Sequence, residues 1–138
     1  MTWLLGLLGL FALFGTSSAP PPSPPPSPAT LVDSWSQSEH ERLGEVDVEA
    51  QVIADDAARD ALLADLPRSV DTSAVEAVDL YESVLVAGGY HRCTESSFVV
   101  LDDAGPRFEV DDGEPGVLCG WSPYTVDVWA VPRSALGG

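Results

Sequence analysis

A proline block, PPPSPPPSP over residues 20–28, divides the chain and confines folding to the residues C-terminal to it. Proline fixes φ and removes the backbone donor, so the block predicts an extended polyproline II rod of about 3 Å per residue. A ligand for SH3-like or WW-like domains needs a flanking basic residue, and none lies nearby, so the block reads as a spacer. Ahead of it, residues 3–14 (WLLGLLGLFALF) are apolar and uncharged, whereas every charged side chain lies between Asp33 and Arg133. The apolar run falls short of the roughly 20 residues that span a bilayer as a helix. With the small residues Gly15 to Ala19 behind it, it reads as a signal-peptide core cut after Ser17 or Ser18. An uncleaved anchor, or a start placed too far downstream, is the alternative, because the segment before the run has no Lys or Arg. The organisation expected is therefore a signal or short anchor over 1–19, a Pro/Ser-rich and polar linker over 20–44, and one acidic domain over 45–138. After the targeting segment and spacer about 106–110 residues remain, enough for a single core. The localisation implied is extracellular or cell-envelope.

The sequence holds 22 acidic and 6 basic residues, for a formal net charge of −16, and every basic residue is Arg. Such a surface repels phosphates, which excludes nucleic acid and anionic lipid headgroups as partners. Contact with a membrane is expected only through the N-terminal segment. The same composition suits a saline habitat, or reflects a GC-rich genome. In an exported domain the two cysteines, Cys93 and Cys119, most simply form one disulfide. A reactive thiol is the alternative, since Arg92 and His91 adjoin Cys93.

Residues 45–52 alternate, with Val46, Val48, Ala50 and Val52 on one face and Glu45, Asp47, Glu49 and Gln51 on the other, which predicts a half-buried strand. Asp55 then caps a helix over 56–66 that Pro67 stops. Val84 to Ala87 predicts a central strand ending in a tight turn at Gly88-Gly89. Further strands are predicted over 97–101, 107–110, 116–121 and 125–131, separated by acidic turns at 102–106 and 111–115. The fold class is α+β: a mostly antiparallel, curled sheet, sandwich or partial barrel, with one short packed helix.

No catalytic frame stands in the sequence. The carboxylates at Asp102, Asp103, Asp111, Asp112 and Glu114 lack the spacing of a calcium loop. His40 and His91 offer no zinc-ligand spacing, and no nucleophile elbow places Ser, His and Asp together. No catalytic residue, metal or cofactor is assigned. Trp121, Tyr124 and Trp129 form an aromatic cluster that is the candidate partner-binding site. In the last strand Val126, Val128 and Ala130 face one way, and Asp127, Trp129 and Val131 the other. Either that strand is covered on both sides, or Trp129 belongs to a binding patch.

The opening from Val46 to Leu66, the Asp79-Leu80 step, the Gly89-Tyr90 pair and Ser122-Pro123-Tyr124 resemble the PrcB-like C-terminal domain family, small exported domains named for an accessory subunit of a surface protease complex. A Thr-Gly-Gly-Tyr turn expected there reads Gly88-Gly89-Tyr90-His91-Arg92-Cys93 here. The resemblance implies a non-enzymatic domain that binds or stabilises another exported protein; a secreted hydrolase or protease inhibitor is the competing class.

Overall fold

The computed structural model describes Gly15 and residues 27–137. The signal-peptide or anchor reading, and most of the proline rod, fall outside the described residues. The fold is α+β with antiparallel sheets and one main helix, and the described residues close no barrel.

Two nine-residue strands, β3 (Ser83–His91) and β6 (Tyr124–Pro132), pair antiparallel along their full length, from Ser83 opposite Pro132 to His91 opposite Tyr124. Strand β1 (Thr30–Ser36) adds to β6 and strand β2 (Gln51–Ile53) to β3, giving the order β1-β6-β3-β2. A separate hairpin of β4 (Ser97–Asp102) and β5 (Gly105–Val110) lies against one face. Its turn obeys the acidic signal, with Ala104 N–H donating to Asp102 Oδ1 and Gly105 at φ +110°. The other face carries helix α1 (Asp56–Asp65) and the single turn α2 (Ser73–Glu76).

Layering explains why β3 and β6 are apolar at nearly every position. Leu85, Ala87, Val126 and Val128 join the core under α1, with Leu62, Val75 and Trp35. Their neighbours Val84, Val86 and Val131 join a second core under the hairpin, with Val99 and Phe108. Side chains alternate across a strand, so a strand covered on both faces reads as a continuous apolar run. Helix α1 begins where expected: Asp55 Oδ1 accepts the Ala58 N–H at 2.8 Å, and Leu62 and Leu66 are buried.

Four expectations are corrected. The folded unit begins at Thr30 and not at Glu45, because part of the supposed linker forms β1. Only Trp35 of β1 is fully buried, with its indole N–H donating to the Asp71 carbonyl at 3.2 Å. A register shift between Leu31 and Asp33 breaks the alternation that would have marked the strand. Over residues 45–52 only Gln51 and Val52 are strand, as the start of β2; Val48 is buried and Val46 packs on the core as expected, whereas Val52 is exposed and Ile53 is buried. Shifting the pairing by one residue exchanges the two faces. Gly88-Gly89 is strand interior and not a turn. A Cβ on Gly88 would lie 2.5 Å from the Phe108 ring, and one on Gly89 only 1.8 Å from Tyr124 Oη, so both glycines let aromatic rings rest on bare backbone. Residues 116–121 form no strand; they belong to an irregular loop spanning 111–123.

Candidate functional site

Two features of the molecule carry polar or reactive chemistry out of the ordinary, one buried and one exposed. The buried one centres on Asp127 of β6, which is 3% exposed on the face beneath the hairpin. Ser34 of β1 lies directly opposite it and donates from Oγ to Oδ1 at 2.5 Å. Tyr90 of β3 and Ser97 of β4 donate to Oδ2 at 2.8 and 2.5 Å, and Trp129 Nε1 donates to Ser97 Oγ at 2.9 Å. Among the described residues no arginine pairs with this carboxylate. Three hydroxyl donors are what a buried carboxylate needs in place of water. Removal from water, reinforced by the hydrogen bond to Asp127, pushes the Tyr90 hydroxyl up to about 12, so it remains a donor.

Chemically the cluster is closed. Ser97 is buried, no histidine stands beside either serine, and every buried side-chain polar atom among the described residues has a partner. Its effect is to tie the hairpin to three strands of the main sheet.

The exposed feature is the loop over 111–123. Cys93, just past β3, is bonded to Cys119 with a Cα–Cα distance of 6.0 Å, and no cysteine is free among the described residues. The bond joins two loop segments. At its start the loop is pinned: Asp111 N–H donates to the Ser96 carbonyl, Ser96 N–H returns a bond to Asp111 Oδ1, and Glu114 N–H donates to Thr94 Oγ1 at 2.7 Å. Gly113 sits at φ +70°, where a Cβ would lie 2.3 Å from Thr94 Oγ1, so this turn accepts only glycine. Glu95 Oε2 accepts the N–H groups of Cys93 and Thr94, and the Cys93 bond above all holds its carboxyl below the usual range. At the far end Arg92 N–H donates to the Pro123 carbonyl at 2.9 Å. Between these moorings Leu118 to Trp121 form no hydrogen bonds among the described residues, and the disulfide ties the crest covalently to Cys93. Leu118 is 97% exposed, Trp121 60% and Val117 45%.

The three aromatic residues expected to form one site are therefore separated. Trp121 is exposed on the loop. Tyr124 is only 7% exposed; its Oη accepts the Val48 N–H at 2.8 Å and its ring meets His91 edge-on. Trp129 is half-buried at the border of the second core, with its indole nitrogen engaged by Ser97, so β6 is the strand covered on both faces. Sequence reading missed Val117 and Leu118, because their spacing beside Cys119 imitates a strand. It also missed the part played by Asp127, whose only signal was a lone carboxylate inside an apolar run.

Several of the remaining candidates are occupied structurally. Asp102 and Glu109 both pair with Arg107. The His40 ring lies within hydrogen-bond reach of Ser69, and the His91 ring of the Ser122 carbonyl. No group of three or more metal-ligating side chains occurs among the described residues. An open groove of about 820 Å³ beside the start of α1 contains Arg59 and Arg133, but both guanidinium groups are spent on carbonyls, Val78 and Glu76 for Arg59, Leu80 and Ala54 for Arg133. No helix among the described residues is long and apolar enough to cross a membrane. Comparison with protein-family models, with curated proteins and with solved structures finds no match.

Proposed function

We propose that this chain is an exported, non-enzymatic binding domain that presents the crest of loop 111–123 to another exported protein, in the manner of an accessory subunit. One observation carries the reading: Val117, Leu118 and Trp121 stand exposed together on a loop whose crest is held by a disulfide. Exposed apolar side chains that leave no gap in the core mark contact surfaces, and aromatic anchors supply much of the energy of such contacts. Holding the loop before binding lowers the ordering entropy that association would otherwise cost. Export is supported by the apolar segment over 3–14 and by the disulfide, which persists in oxidising compartments. The non-enzymatic reading is supported by the closed environment of Asp127. The resemblance to PrcB-like domains agrees with an accessory role.

The test is capture from the native exporter's envelope fraction by the oxidised full chain, followed by reconstitution with the purified captured protein. A stable complex that is abolished by Leu118→Ser/Trp121→Ser, in a variant that keeps its melting temperature, supports the reading. Equal capture by both chains rejects it. A disulfide-held convex loop equally suits a protease inhibitor, which is a special case of binding. Stoichiometric inhibition of a secreted protease, relieved by the same double substitution, would select that case.

A further inference from the structure

Resting on that reading, we infer that the surface receiving loop 111–123 is an apolar pocket bordered by lysine or arginine side chains. The crest and the acidic turn of the loop are held on two sides of one point. Glu114 is bound through its N–H to Thr94, and Leu118 precedes Cys119, which is bonded to Cys93. Asp111, Asp112 and Glu114 are all exposed there, next to Val117, Leu118 and Trp121. A partner that covers the apolar crest must therefore also meet carboxylates.

Charge decides among the surfaces that could cover such a crest. A second copy of the chain would bring a net charge of −16 against −16, and anionic headgroups would be repelled in the same way. The chain has few cations of its own to neutralise the turn. Of its six arginines, Arg42, Arg59 and Arg107 are paired with Glu45, Asp56 and the Asp102/Glu109 pair, and Arg133 is bound to carbonyls, which leaves Arg68 and Arg92 outside any ion pair among the described residues. A cationic protein surface gains from the same field, which steers its approach and fixes its orientation while the apolar anchors slow its departure.

The probe is a displayed library of random peptides, selected on the oxidised full chain and counter-selected on Leu118→Ser/Trp121→Ser. The expected winners combine apolar residues with Lys or Arg. Their affinity should fall about tenfold between 20 and 500 mM NaCl and about thirtyfold in Trp121→Ala. Asp112→Asn/Glu114→Gln should weaken them several-fold, mainly through a slower association rate, at unchanged melting temperature. Among the described residues neither side chain is engaged in a hydrogen bond, so the fold should not register the change.

Loop-dependent peptides that carry no positive charge and ignore both salt and Asp112→Asn/Glu114→Gln would overturn this inference and leave the binding reading standing. Failure of the library to distinguish the wild type from the double variant would overturn both. Trp121-dependent sedimentation with phosphatidylcholine vesicles, or Trp121-dependent dimerisation in analytical ultracentrifugation, would replace the cationic partner with a membrane or a second copy.

Discussion

Replacing Asp127 by alanine tests whether the buried carboxylate is a structural hub. The substitution removes the shared acceptor of Ser34, Tyr90 and Ser97 and leaves three hydroxyls on the interior side of the sheet. A hydrogen bond to a charged group contributes about 1.5–3 kcal/mol, so simple addition over three bonds would give roughly 5–9 kcal/mol. That sum overshoots, because the wild type already bears the cost of desolvating the carboxylate and the freed hydroxyls can turn toward one another. Breaking buried charged contacts elsewhere costs about 3–5 kcal/mol, and we expect that range for Asp127→Ala. Asp127→Asn keeps the shape and one acceptor oxygen, and hydroxyls can accept from its amide, so about 1–3 kcal/mol is expected. The assay is urea unfolding of the oxidised protein monitored by near-ultraviolet circular dichroism, with Ser34→Ala and Ser97→Ala completing double-mutant cycles. Each cycle should show a coupling of about 0.5–3 kcal/mol. An Asp127→Ala loss below about 1 kcal/mol, or cycles additive within about 0.5 kcal/mol, would refute the hub.

The packing sets three further outcomes. Tyr90 keeps its proton in the folded chain up to about pH 12, whereas the unfolded chain releases it near pH 10. The stability this shift contributes is whole below about pH 10 and is lost as pH rises toward 12; a Tyr90→Phe variant should lack this alkaline step in a melting-temperature profile, and an identical profile would contradict the assignment. Gly89→Ala places a Cβ 1.8 Å from Tyr124 Oη, which the Val48 N–H holds in place, so it should cost about 1–3 kcal/mol and lower the urea midpoint, whereas a neutral effect would mean the ring moves freely. Cys93→Ser/Cys119→Ser opens a link across a sequence separation of 26. The chain-entropy estimate gives a loss of about 3.5 kcal/mol, or on the order of 15 °C in calorimetry for a domain of this size, and an unchanged transition would show that the loop contributes nothing to the fold.

Local signals were legible where a residue acts through its own neighbours. Asp55 caps α1 and Pro67 ends it because capping and φ restriction are decided within a few residues. The turn from Asp102 to Pro106 was readable for the same reason, whereas the pairing of Cys93 with Cys119, across a separation of 26, followed from their being the two cysteines of the sequence. What escaped depends on contacts distant in sequence. Gly88-Gly89 looks like a turn until Phe108 and Tyr124 are laid against it. Strand β1 hides its identity because one edge strand with a bulge and a single buried tryptophan leaves almost no alternation. Residues 116–121 carry a strand-like pattern, but no neighbour offers its backbone a ladder, and their apolar side chains face solvent. The choice left open for Trp129 has the same origin: only the hairpin docked on β6 determines that its ring is covered while Trp121 stays exposed.

The central claim is that binding and folding reside in different tryptophans. The direct measurement pairs the melting temperature with the affinity for the protein captured from the envelope fraction, in Trp121→Ala and in Trp129→Ala. The account predicts that Trp121→Ala melts within about 2 °C of the wild type and binds about thirtyfold more weakly. It predicts that Trp129→Ala, which empties the border of the second core and strips Ser97 of a donor, loses about 3 kcal/mol of stability and keeps its affinity while folded. A Trp121→Ala chain that binds as the wild type does, or that loses its fold, would contradict the account.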